Sequence, residues 1–194
     1  QIQHQVRECY MKGKAEGHVN GMLSRLFDKA MSVGKRVRTE TALNKGAVSV
    51  GSAAVELAES RLGSLEGKSI TILGAGDIAS VIAKNLAGKN LGAVIVTNRT
   101  YSRAIELADE LGGRAVSMAR MTDAVADSDV VLVATGAPHP VLKDVHVAEA
   151  MSRRPERPLM IIDVSIPRNT EESVGEMPNV SLESMDSLQS IAMK

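Results

Sequence analysis

Two kinds of hydrophobic pattern divide the chain near Gly67. Before Gly67, apolar residues recur at intervals of three and four, as over 22–31 and 50–58, and this spacing predicts two or three helices. After Gly67, short apolar runs alternate with amphipathic stretches, which predicts strands and helices in turn. The predicted strands are 69–73, 93–97, 114–116, 129–134 and 159–163, with 180–182 as a candidate sixth, and the predicted helices among them are 78–86 and 101–111.

The predicted strands are continuous apolar runs rather than alternating ones. This pattern is typical of parallel strands that are covered by helices on both faces. Right-handed crossovers between such strands build a doubly wound sheet. The sequence therefore predicts the α/β class, with a Rossmann-like doubly wound parallel sheet preceded by a helical linker segment.

Composition excludes several classes of function. The 23 basic and 23 acidic residues give a formal net charge of zero, so the chain has no global attraction to nucleic acid. Two Tyr, one Phe and no Trp argue against a base-stacking platform, and the single Cys9 excludes an internal disulfide framework. Because the chain has no export signal and no membrane-spanning run, we expect a cytoplasmic protein. The start at Gln1, inside a helical pattern, leads us to expect part of a longer chain.

A glycine-rich loop with the spacing G-x-G-x-x-A directly follows the first predicted strand. Gly74 allows a sharp turn, Gly76 lets a pyrophosphate approach the backbone, and Ala79 is small enough for the next helix to pack on the sheet. That helix directs its free N–H groups and the positive end of its dipole at the phosphates. An ordinary glycine-rich turn is the alternative, and the position between strand and helix favours a dinucleotide site. The candidate contacts are Gly74, Ala75, Gly76, Asp77, Ile78 and Ala79.

The end of the second strand indicates which dinucleotide binds. Sites for NAD usually carry Asp or Glu about 20 residues after the loop. This chain instead carries Asn98, Arg99 and Thr100, with Arg103 one turn later. A guanidinium pairs with a 2′-phosphate that a carboxylate would repel, so we predict NADP(H) as the cofactor. A solvated arginine at a strand end is the alternative.

The loop after the fourth strand lies at the same carboxyl edge of the predicted sheet. Thr135 and Gly136 are expected to contact the dinucleotide through their backbone, near the nicotinamide. His139 stands between two prolines, where a structural role is favoured over proton transfer. Asp163, which ends the fifth strand, is a candidate to face the same crevice. The histidines show no spacing that indicates a metal site.

A larger set of residues resembles the glutamyl-tRNA reductase family. The resemblance is most specific over 35–58, continues through the glycine-rich loop and the second strand end, and includes 161–169. It covers essentially the whole chain. It implies NADPH-dependent reduction of glutamyl-tRNA(Glu) to glutamate-1-semialdehyde, the first step of tetrapyrrole (porphyrin) biosynthesis by the five-carbon pathway. It also implies a homodimer, and transfer of the product to glutamate-1-semialdehyde aminomutase.

The resemblance also implies where the chemistry lies. Family members form a thioester on a cysteine of an N-terminal domain, and Cys9 is not in the matching segment. We therefore expect the nucleophile upstream of this chain, no catalytic residue within it and no activity of the chain alone. Gln1 and Gln5 match the end of the family's substrate-binding segment and are expected to bind the glutamyl group.

The resemblance divides the chain into three parts. Residues 1–66 would be the end of the catalytic domain and the connecting helices, 67–178 the NADP-binding domain, and 179–194 the start of a C-terminal helical region.

Other interpretations remain open at this point. A shikimate-dehydrogenase-like NADP oxidoreductase also carries the loop and the Asn-Arg-Thr strand end. However, it needs a catalytic Lys–Asp pair in an N-terminal α/β domain, whereas 1–66 looks helical. A non-catalytic NADP(H)-sensing module is a further alternative. The basic run Lys35, Arg36 and Arg38 is either a solvated helix end or a contact for tRNA phosphates, and the first is favoured.

Overall fold

A computed structural model describes residues 2–40 and 50–184 of the chain. The chain divides into two compact units, Gln1–Ala47 and Val48–Lys194. Within the described ranges, no helix combines the length and the apolar character needed to cross a bilayer.

The first unit contains two helices, α1 (Ile2–Ala15) and α2 (Gly21–Glu40). They pack around Tyr10, whose ring is buried and stacks on Phe27 with 5.1 Å between the ring centroids. The Tyr10 hydroxyl donates to Asp28 Oδ1 at 3.2 Å. α2 continues without a break past Gly34 and includes Lys35 and Arg36 of the basic run.

The second unit is built on a parallel sheet of six strands in the order β3-β2-β1-β4-β5-β6. Every neighbouring pair of strands is parallel. The predicted Rossmann-like α/β fold is confirmed, including the sixth strand. The strands are β1 (Ser69–Leu73), β2 (Ala93–Asn98), β3 (Arg114–Ser117), β4 (Val130–Val133), β5 (Leu159–Asp163) and β6 (Val180–Ser184).

Helices cover both faces of this sheet. Two of them were not predicted from the sequence, because helices of seven and nine residues present few periodic positions. These two are α6 and α7 in the following set. The helices are α3 (Val50–Leu62), α4 (Asp77–Leu86), α5 (Tyr101–Glu110), α6 (Met121–Asp127) and α7 (Asp144–Ser152).

Alternate residues of β1 enter two separate cores. Ile70 and Ile72 of β1 lie in one core with α3, α4 and α5, whereas Leu73 lies in the other with α6 and α7. The alanine-rich face of α3, including Ala54 and Leu57, is buried in the first core. This packing places α3 in the same compact unit as the sheet. The division of the whole protein at residue 66 stays a prediction.

Candidate functional site

The bend after β1 depends on Gly74. Its φ of 122° lies in the region that side chains rarely adopt, and a Cβ at this position would lie 2.1 Å from the carbonyl oxygen of Ala134. The Gly74 N–H donates to the carbonyl of Thr97 at 2.8 Å. The chain therefore leaves β1 between the ends of β2 and β4, where only glycine fits.

Gly76 has a different role, because the fold does not require glycine there. Its φ of −100° and ψ of −171° are extended values open to any residue, and a Cβ would meet nothing within 4 Å. Gly76 precedes α4 and gives it no side-chain cap. The first N–H groups of a helix have no partner inside it, so the start of α4 faces open space with donors that suit an anion. Ala79, one turn later, is wholly buried against the sheet, as predicted from its size.

Two clefts open on this loop, each of about 290 Å³. Gly74 lines one cleft, and the next three residues of the loop line the other. We call the first the strand-end cleft; it is lined by Gly74, Thr97, Asn98, Arg99, Met118, Thr135, Gly136, Ala137 and Pro138. We call the second the helix-start cleft; it is lined by Ala75, Gly76, Asp77, Ser80, Arg103, Glu106, Leu107 and Glu110.

Arg99 and Arg103 supply positive charge to these clefts. Both side chains are exposed, and neither makes an ion pair with any residue that the structure describes. The Asn98 amide donates to the carbonyl of Thr100 at 3.1 Å, which fixes the turn between β2 and α5. Because no carboxylate within the described part of the chain pairs with these guanidinium groups, they are available to bind an anionic group of a ligand.

The loop after β4 is held by the segment that follows β5. The Thr135 N–H donates to Ser165 Oγ at 3.1 Å, and the Thr135 hydroxyl bonds Asn169 Oδ1. Asn169 Nδ2 in turn donates to the carbonyls of Ala137, at 3.0 Å, and His139, at 3.1 Å. The N–H of Thr135 therefore already has a hydrogen-bond acceptor within the protein.

Asp163 holds its own segment rather than facing the strand-end cleft. The residue is 1% exposed, and its carboxylate accepts hydrogen bonds from the N–H groups of Ser165 at 2.9 Å, and of Asn169 and Thr170 at 2.7 Å. It lines a different cleft, beside Arg168. The hypothesis that Asp163 faces the nucleotide crevice is therefore wrong, because the carboxylate is consumed by backbone donors.

The other predicted residues lie in the first unit or outside the described ranges. Gln5 and Cys9 are exposed on α1, and the Cys9 thiol is free. Gln1 lies outside the described residues. Arg36 pairs with Glu40 at 3.1 Å on the surface of α2.

The sequence did not identify several residues that line the clefts. Met118 follows β3 and Pro138 follows β4, so both stand at carboxyl ends of strands, the edge at which such sheets bind ligands. Their position shortly after predicted strands could have identified them from the sequence. Glu106 and Glu110 line the helix-start cleft with Arg103 and give it mixed charge.

Comparison with known proteins identifies the family. Residues 1–41 match the family described as glutamyl-tRNAGlu reductase, N-terminal domain, and residues 56–191 match the family described as shikimate / quinate 5-dehydrogenase. The glutamyl-tRNA reductase of Archaeoglobus fulgidus is 45% identical over 192 residues, which are 99% of this chain and 44% of that protein. The chain belongs to the glutamyl-tRNA reductase family. Its residues 56–191 belong to the shikimate / quinate 5-dehydrogenase domain family.

Solved structures agree with this assignment. Glutamyl-tRNA reductase from Methanopyrus kandleri is 45% identical, with a TM-score of 0.70 over 99% of this chain and 48% of that one. The nucleotide binding domain of glutamyl-tRNA reductase from Thermoplasma volcanium, 20% identical, shares the fold with a TM-score of 0.57 over 75% of this chain and 92% of that one.

The match to the reductases confirms the resemblance seen in the sequence. The chain spans just under half the length of the curated relatives that it matches, 42% to 48%. The shikimate-dehydrogenase-like alternative is not favoured, because that family accounts for 56–191 alone whereas the reductases match nearly the whole chain.

Proposed function

We propose that this chain is the NADPH-binding part of an enzyme that reduces glutamyl-tRNA(Glu) to glutamate-1-semialdehyde, the first step of tetrapyrrole biosynthesis by the five-carbon pathway. One observation carries the cofactor assignment. Gly76 leaves open space at the start of α4, and the guanidinium groups of Arg99 and Arg103 line the two clefts that open on the same loop.

The cofactor contacts follow from the chemistry of each position. The first N–H groups of α4, next to Gly76, bind the pyrophosphate. Arg99 and Arg103 bind the 2′-phosphate that distinguishes NADPH from NADH. The backbone of Gly136, exposed after β4, lies toward the nicotinamide. NADPH, when bound, supplies the hydride for the reduction.

The preference for NADPH has an expected size. A hydrogen bond between a charged donor and a charged acceptor contributes about 1.5–3 kcal/mol, which corresponds to roughly 10- to 100-fold in affinity. Because Arg99 and Arg103 are exposed, the lower part of this range applies.

The remaining parts of the proposal concern the whole protein. The nucleophilic cysteine lies outside this chain, so the chain binds cofactor without reducing glutamyl-tRNA(Glu). Gln1 and Gln5 bind the glutamyl group. The whole protein is a cytoplasmic homodimer that passes its aldehyde to glutamate-1-semialdehyde aminomutase. The family assignment and the sequence match at these positions support these statements.

Nicotinamide fluorescence measures the cofactor preference directly. Titration of the chain with NADPH and NADH is expected to show about tenfold tighter binding of NADPH. Arg99→Asp is expected to remove most of that preference, whereas Arg25→Asp, the same charge change at an exposed position of α2, leaves it unchanged. Equal affinity of the unaltered chain for both nucleotides would overturn the proposed phosphate recognition.

A further inference from the structure

Asn169 directs its whole side chain at one loop. The residue is fully buried. Its amide nitrogen donates to the carbonyls of Ala137 and His139, and its amide oxygen bonds the Thr135 hydroxyl. These three partners all belong to the 135–139 loop, and two of them line the strand-end cleft.

The chemistry of this position is specific to an amide. Two donors and one acceptor on a single planar group match two carbonyls and one hydroxyl. Aspartate has nearly the same shape but offers acceptors only, so a carboxylate would face the carbonyls of Ala137 and His139 without a hydrogen bond. A shorter side chain would leave both carbonyls without their buried partner.

Asn169 is itself anchored to the sheet. Its N–H donates to Asp163 at the end of β5, and its carbonyl accepts from the N–H groups of Val141 and Leu142 at 2.8 and 2.9 Å. A second link runs in parallel, since Ser165 Oγ accepts the N–H of Thr135. The loop is therefore held in position by hydrogen bonds that lead to the end of a buried strand, rather than by solvent-exposed contacts.

We infer that Asn169 is a positioning residue that holds the 135–139 loop in place for the nicotinamide half of NADP(H). This inference rests on the proposed function. The 2′-phosphate of the adenosine half is bound by Arg99 and Arg103. Arg99 shares the strand-end cleft with the loop, but among the described residues neither arginine makes a hydrogen bond to Asn169. The two halves of the cofactor should therefore respond differently when Asn169 is changed.

Two probes separate these halves. NADPH occupies the whole site, whereas adenosine 2′,5′-bisphosphate carries the adenosine and the 2′-phosphate without the nicotinamide. For Asn169→Ala we expect NADPH to bind at least about tenfold more weakly, with adenosine 2′,5′-bisphosphate within about twofold of the unaltered chain. Asn169→Asp should behave like Asn169→Ala. The matched control is Asn85→Ala, which removes an amide-to-carbonyl hydrogen bond of 2.8 Å within α4 and should change neither affinity.

Thr135→Val keeps the experiment decisive if the Asn169 variants fail to fold. It preserves the branched shape and removes the hydroxyl that bonds Asn169 Oδ1 and accepts the Ala137 N–H. Thr135→Val should weaken the binding of NADPH but not that of adenosine 2′,5′-bisphosphate. The effect on NADPH should be smaller than that of Asn169→Ala. The inference is overturned if a folded variant binds NADPH as the unaltered chain does, or if both probes weaken equally. An unaltered chain that binds neither probe would overturn the proposed function instead.

Discussion

Replacing Gly74 and Gly76 separately by alanine distinguishes folding from nucleotide binding at the loop after β1. The two substitutions add the same methyl group two residues apart. At position 74 the new Cβ would lie 2.1 Å from the Ala134 carbonyl oxygen, at a φ of 122°. At position 76 it would lie in open space, at extended backbone angles.

The expected magnitudes differ accordingly. A left-handed φ costs an alanine about 1–3 kcal/mol, and the clash with backbone atoms of a neighbouring strand end adds to this. We expect Gly74→Ala to lower the free energy of unfolding by at least about 3 kcal/mol. Gly76→Ala is expected to leave that free energy unchanged or to raise it by about 0.4–1 kcal/mol, because it restricts only the unfolded chain.

Binding reverses the order of the two effects. The Gly76→Ala methyl group occupies the space through which a pyrophosphate approaches the start of α4. We expect affinity for NADPH to fall by about tenfold or more, equivalent to losing one hydrogen bond to a charged group. Urea unfolding followed by circular dichroism measures the stability of both variants, and fluorescence titration measures their affinity. If Gly76→Ala binds NADPH normally, the open space is not the pyrophosphate site, and if Gly74→Ala is fully stable, the bend is not as constrained as described.

Two further predictions concern stability at the other end of the strands, where β1 and β4 begin. Burial opposes ionisation of Asp129, yet the Ser69 N–H at 2.9 Å and Arg157 hold the pKa of that carboxyl below its usual value. The carboxylate therefore stabilises the fold above about pH 4 and loses this effect as the pH falls through its lowered pKa. Asp129→Asn should lower the urea midpoint at pH 7. Between pH 7 and pH 3, the midpoint of this variant should fall by less than that of the unaltered chain. An unchanged midpoint at pH 7 would contradict this role of Asp129. Arg154 is 7% exposed and donates to several backbone carbonyls, including Ser128 and, at 2.7 Å, Pro158. Arg154→Met should cost roughly 2–4 kcal/mol of unfolding free energy, because buried carbonyls lose their donors, and a loss under about 1 kcal/mol would refute this role.

The parts of the molecule that could be predicted from sequence are those encoded locally. Strands β4 and β5 are buried along their whole length, so β4 is an unbroken apolar run and β5 is one up to its last residue, Asp163. The loop from Gly74 to Ala79 has a fixed spacing between a strand and a helix. Local patterns of this kind need no knowledge of distant residues.

The parts that were missed depend on contacts between distant residues. Asn169 meets the 135–139 loop across 30 to 34 positions of the chain, and no periodicity records that contact. Asp163 looked like a free strand-end carboxylate until the backbone N–H groups that surround it were known. The sequence also could not show that Gly74 is required by a neighbouring carbonyl whereas Gly76 is not.

A crystal structure of this chain grown with NADPH tests the central claim most directly. The account predicts the pyrophosphate at the start of α4 beside Gly76, and the 2′-phosphate within hydrogen-bond distance of the guanidinium of Arg99 or Arg103. A nucleotide bound away from the glycine loop, or a 2′-phosphate that contacts neither arginine, would contradict it.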